Sequence, residues 1–165
     1  MDCVALTEYW INITLATQSL ELYWGQTVCW RASVSTARRG AGEQQNSLCT
    51  PTGWHVIRAK IGEGCPAESV FVGRRPTGEV YSPDLAQRVP NRDWILSRIL
   101  WLSGLEKGHN RSGGVDTMRR YIYIHGTPGS EPMRTPASHG CVRMHNVPLM
   151  TLFSRVSVGT KVYVA

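Results

Sequence analysis

The stretch from Tyr121 to Met144 holds a strand-like run ending at His125-Gly126, a loop rich in Pro and Gly, and then Ser138-His139-Gly140-Cys141-Val142-Arg143. An ordinary thiol, with a pKa of about 8.5, is only a few per cent ionised at neutral pH, so a nucleophilic cysteine needs a base or a cation beside it. His125, His139 and Arg143 are the candidates. If Cys141 opens a strand, residues 139, 141 and 143 share one side of it, which groups the histidine, the thiol and the guanidinium. Gly140 lets a substrate approach the backbone closely, and amides near Gly140 and Cys141 are placed to bind the oxyanion formed when a thiolate attacks a carbonyl.

Ile124-His125-Gly126-Thr127 followed by Ser138-His139-Gly140-Cys141-Val142-Arg143-Met144 resembles the signature of the L,D-transpeptidase catalytic (YkuD-type) family. The resemblance extends to Trp101–Glu106 and Arg120–Tyr123, and more loosely to Thr50-Pro51-Thr52-Gly53. It implies a β-sandwich-like domain acting on the peptide stem of bacterial peptidoglycan, with Cys141 as nucleophile, His125 as general base and the Gly126 carbonyl orienting the imidazole. It further implies that Ser138, His139 and Gly140 shape the oxyanion site and groove wall, and that Arg143 holds a carboxylate of the diamino-acid residue. The implied reaction forms a thioester between Cys141 and the third residue of a tetrapeptide donor and releases D-Ala. Transfer to a diamino-acid amine gives a 3→3 crosslink, whereas water in its place gives an L,D-carboxypeptidase. The resemblance also implies covalent inhibition by carbapenems, a role in cell-wall synthesis and cell shape, and no cofactor. A rival of another class is a non-catalytic member that binds wall peptides, or zinc through His125, His139 and Cys141.

These residues must be positioned by a scaffold, and the pattern around them is mainly β with a few helices. Ile11, Ile13 and Leu15 alternate with polar residues, as do Leu20 and Leu22, which predicts a hairpin with one buried face. Gly25-Gln26 turns into a strand over Val28–Val34, and Trp54–Ile61 supplies another. Arg38–Asn46 reads as an exposed loop and 62–91 as irregular. Asn91 as cap, Asp93 in the first turn, Ile95, Ile99 and Leu102 at helical spacing, and Gly104 past the end predict a helix. A strand over Tyr121–Ile124 follows. Asn146 as cap with Leu149, Leu152, Phe153 and Val156 on one stripe predicts a second helix, and Lys161–Val164 a last strand.

At 165 residues the chain fits one domain, 1–165, with the motifs confined to 91–165. Residues 1–90 hold 8 basic and 8 acidic side chains, whereas 91–165 hold 10 and 4, so the net charge of +6 belongs to the half that carries the motif. No basic-aromatic motif of a nucleic-acid module is present. The longest apolar run, Ile95 to Leu102, is interrupted by Ser97 and Arg98, and no transmembrane segment is expected. The substrate class implies the periplasm or cell envelope, although the first basic residue is Arg31 and no export signal is expected in this chain. Cys3, Cys29, Cys49 and Cys65 read as buried small residues or disulfide partners, and His55, His109 and His145 as surface or supporting residues.

Overall fold

A computed structural model of the chain describes residues 8–165; the expectation for Cys3 lies outside them. The protein is mainly β. Among the described residues ten strands join one curled sheet: β1 (Tyr9–Thr14), β2 (Ser19–Trp24), β3 (Thr27–Ser33), β4 (Gly53–Ile61), β5 (Ser69–Val72), β6 (Arg75–Val80), β7 (Ile95–Gly104), β8 (Tyr123–Thr127), β9 (Val142–His145) and β10 (Lys161–Val164). Two α-helices accompany them among the described residues, α1 (Pro83–Arg88) and α2 (Asn146–Arg155). The order is β3-β2-β1-β10-β4-β7-β5-β6, with β8 on β7 and β9 on β8.

β7 is the branch point. Its residues 99–104 pair with β4 and 95–96 with β5, while 96–101 pair with β8 along the other edge. This is where the predicted helix over 91–104 fails. Ile95, Ile99 and Leu102 fit a helical stripe, but Leu96, Leu100 and Trp101 fill the gaps, so the run is apolar on every side. A strand covered on both faces shows that same pattern, and periodicity alone does not separate the two. Asn91 caps nothing, sitting at φ +67°. Residues 62–91 are more regular than expected, holding β5, β6 and α1, whose N-cap Ser82 accepts a hydrogen bond from the Leu85 amide at 3.1 Å.

The largest core cluster lies on one face of the sheet. Alternation buries Ile11 and Ile13, Leu20 and Leu22, Val162 and Val164, Ile57, Leu100 and Leu102, Ile124, and Val142 and Met144 in one cluster. Leu149, Leu152 and Phe153 of α2 close over it. Each such side chain contributes roughly 1.5–3 kcal/mol of transfer free energy. Asn146 is the first helical residue and not the cap. Its side-chain amide donates to the Thr127 carbonyl at 3.0 Å and its oxygen accepts from Ser97 Oγ at 2.7 Å, tying α2 to the end of β8 and to the irregular pairing of β7. The opposite face carries the candidate site.

Candidate active site

His125 sits inside β8, which begins two residues later and ends three residues later than the expected Tyr121–Ile124, with Ile99 of β7 on one side and Arg143 of β9 on the other. It is buried, and its Nδ1 lies 2.7 Å from the Gly126 carbonyl oxygen. A carbonyl only accepts, so Nδ1 carries the proton and Nε2 is left as the basic nitrogen. Burial lowers the His125 pKa below its ordinary 6.5, outweighing the Gly126 carbonyl and Asp93, which act the other way. The ring is therefore neutral at pH 7. Gly126 is required by crowding, since a Cβ there would lie 2.4 Å from the Leu96 carbonyl oxygen.

Residues 138–141 are held rigidly. Ser138 Oγ donates to the Cys141 carbonyl at 2.5 Å and accepts from the Gly140 amide at 3.2 Å. Thr50 Oγ1 donates to the Gly140 carbonyl at 2.9 Å and accepts from the Ala37 amide at 3.0 Å. The backbone of Ser138 pairs with Thr36 and Arg38. Gly140 has φ +131°, a conformation that disfavours other residues, and a Cβ would lie 3.1 Å from Ile122. With the Gly140 amide already committed, Cys141 N–H is the amide of this pair left for an oxyanion.

The Cys141 thiol is half-buried, donates to the Tyr121 carbonyl at 3.4 Å and accepts from the Tyr123 amide at 3.3 Å. Burial pushes its pKa up to about 11, against the lowering pull of the Tyr123 amide, Arg143 and Arg120. At neutral pH the pair is thus thiol and imidazole, not thiolate and imidazolium. Cys141 and His125 line one open cavity of about 510 Å³, together with Ser138, His139 and Arg143.

Arg143 is buried, and its guanidinium contacts Asp93 Oδ1 at 3.0 Å and Glu131 Oε2 at 3.7 Å. His139 is exposed at the cavity rim. Among the described residues no group of three His, Cys, Asp or Glu is arranged to hold a metal ion, so His125, His139 and Cys141 do not converge as a zinc site. Cys29, Cys49, Cys65 and Cys141 are free thiols. His55 is fully buried, between the Gly53 carbonyl and Thr117 Oγ1 at 3.0 and 3.1 Å.

Sequence reasoning placed Thr50, Tyr121 and Tyr123 within the resemblance and Asp93 in a helix, but gave none of them a part in the site. Thr50 and Asp93 act across long sequence separations that no local pattern reveals. The alternation of Tyr121, Tyr123 and His125 in the sequence was the available signal for the other two, although Tyr121 lies in a turn at φ +56° just before β8.

The fold and the cavity define a mainly β protein with a cysteine and histidine presented from one sheet face. The family model described as the L,D-transpeptidase catalytic domain (YkuD) matches residues 8–164, and the chain belongs to that family. Among solved structures it is similar to an L,D-transpeptidase from Xylanimonas cellulosilytica, at 18% identity and TM-score 0.55, covering 98% of this chain and 62% of that one. It is also similar to LdtMt1 in complex with imipenem, at 16% identity and TM-score 0.57, covering 95% and 58%. A third is L,D-transpeptidase 3 from Mycobacterium tuberculosis with a faropenem-derived adduct, at 13% identity and TM-score 0.57, covering 94% and 59%. The chain thus spans about three fifths of the length of these relatives. A comparison with curated proteins finds no match.

Proposed function

We propose that the protein is a cysteine acyltransferase acting on the stem peptides of peptidoglycan. The observation that carries this reading is that Cys141 and His125 line one cavity, with Nδ1 tied to the Gly126 carbonyl so that Nε2 is free to take a proton. His125 Nε2 accepts the thiol proton as Sγ attacks the carbonyl carbon of the third stem residue. The Cys141 amide stabilises the resulting oxyanion. The C–N bond to D-Ala then breaks, the proton passes from His125 to the leaving amine, and a thioester remains on Cys141. A diamino-acid side-chain amine of a second stem attacks that thioester, giving a 3→3 crosslink and the free thiol.

Ser138 and Gly140 act by fixing the loop, and His139 lies on the wall the peptide passes. Arg143 receives a substrate carboxylate in exchange for its exposed partners Asp93 and Glu131, a task suited to a planar fork. Hydrolysis to a tripeptide is the second reading, favoured by the openness of the cavity to solvent. Such substrates place the protein in the periplasm or cell envelope, and no helix among the described residues is long and apolar enough to cross a membrane. The imipenem and faropenem-derived complexes of the similar structures support a β-lactam as a covalent inhibitor here.

The test is intact-protein mass spectrometry with a disaccharide-tetrapeptide, with and without imipenem. An adduct on Cys141 with release of D-Ala is expected, and a crosslinked dimer or a free tripeptide identifies the acceptor. Release of D-Ala by the Cys141→Ala protein overturns the mechanism.

A further inference from the structure

The sheet face that bears the site carries a second feature at its other end. Register connects the two: His125 and Tyr123 share a side, Tyr123 faces Trp101, Ser103 faces Val56, and Trp54 on that same side faces Tyr163. From there Lys161 faces Trp10, and Trp10 faces Tyr23. The Trp10 and Tyr23 rings stack at 4.3 Å between centroids, Trp10 lies 5.8 Å from Trp54, and Trp54 lies 4.8 Å from Tyr163. Four rings thus form one surface outside the core, with Trp54 38% exposed.

The surface is pre-organised. The Trp10 indole N–H donates to the Gly25 carbonyl at 2.7 Å, which locks the ring. Trp10 and Trp54 form the floor of a cleft of about 570 Å³ whose rim carries Glu8, Gln26, Glu106 and Lys161. Aromatic faces are electron-rich and attract the C–H bonds of a flat saturated ring, while carboxylates and an amide take up hydroxyl groups around it. Two carboxylates against one ammonium repel a phosphodiester, so the rim does not suit a nucleic acid.

We propose that this aromatic face binds the sugar chain of the substrate, with pyranose rings stacked on Trp10 and Trp54. The assignment rests on the reading of the site as one that acts on peptidoglycan stems. β4 and β1, which carry Trp54 and Trp10, lie two and four strands from β8, about 10 and 19 Å across at the usual strand spacing, and Trp54 stands four residues along the strands from the level of Tyr123, about 13 Å more. A stem of four residues reaches about 13 Å, less than this separation, so the sugar chain stacked on Trp54 continues along the sheet face toward β8 and a stem borne farther along it enters the cavity of Cys141. The path between them is itself lined by stacked groups, with Arg58 lying 5.6 Å and Arg74 4.8 Å from the Trp101 ring, and Arg74 4.8 Å from Tyr121.

The probe is chitohexaose, titrated against tryptophan fluorescence and against the indole N–H shifts of the unsubstituted protein. Saturable binding that shifts Trp10 and Trp54 is expected. Trp10→Ala and Trp54→Ala each weaken it about tenfold, the scale of one lost stacked ring. Acylation of Cys141 by imipenem is unchanged in both variants, because that small ligand does not reach the aromatic face. An inert Cys141 with intact chitohexaose binding counts against the acyltransferase reading alone. Absence of chitohexaose binding, binding of single-stranded oligothymidine in its place, or a dimer in light scattering that Trp54→Ala dissociates overturns the sugar assignment.

Discussion

At neutral pH the site holds two uncharged groups, a thiol raised to about 11 and an imidazole lowered below 6.5, both because burial penalises the charged form. The nucleophile is consequently generated in the act of attack, with His125 taking the proton as the C–S bond forms. A pH profile distinguishes this from a resting ion pair. Acylation by imipenem should fall as pH drops through the lowered pKa of His125, hold level around neutrality and climb toward pH 11, as followed by stopped-flow absorbance. A rate that declines between pH 7 and 9, as loss of an imidazolium would cause, would falsify the neutral pair. The residues of this chemistry were legible because nucleophile and base each sit in a short, specific run. Their electrostatic setting was not, because Asp93 reaches the site from a segment read as the first turn of a helix and Arg143 is already engaged by two carboxylates.

The elements around the site succeed or fail as a unit around β7. Gly126 is the contact point where β8 passes the irregular part of that strand, with the Leu96 carbonyl and the Asn146 side chain both within 2.5 Å of where a Cβ would lie. Gly126→Ala should therefore destabilise the protein by about 1–3 kcal/mol, the usual cost of overpacking, read from urea unfolding. It should also slow acylation, since the Gly126 carbonyl holds His125. An unchanged denaturation midpoint counts against the crowding. The strands with one buried face, β1, β2, β4 and β10, were legible from alternation. β7 was not, because burial on both faces erases alternation; β5 was not, because its four residues are too few to set a period; and β6 was not, because Arg75–Val80 is nearly all exposed and offers no apolar period. Segment 34–37, which flanks Ser138 and Arg143, is buried without belonging to a long strand, and nothing local marks it.

For the molecule as a whole, the buried histidines set how stability varies with acidity. His55 falls to about 4 because burial disfavours its charged form, whereas the unfolded chain titrates near 6.5. Between those values the unfolded state binds the extra proton, so stability is full above about pH 6.5 and is lost as pH falls toward 4. The difference corresponds to about 3 kcal/mol. Thermal melts from pH 7 to 4 should show the midpoint falling through this window, and His55→Gln, which keeps polar atoms without the titration, should flatten the fall. An equally steep curve for the variant would place the acid sensitivity elsewhere, His125 being the other buried ring whose pKa is lowered.

The parallel pairing of β1 with β10 has a consequence for how the chain comes to be folded. β10 lies between β1 and β4, so among the described residues 161–164 form the strand that joins the early meander to the strands that carry the thiol and the imidazole. A nascent chain emerging from the ribosome cannot complete the sheet until residue 164 has been made, and contacts this distant in sequence form slowly. Removing residues 161–165 should leave a chain with no cooperative melt. Until β10 is made, the β1–β3 meander can pair within itself but has no strand to link it to β4.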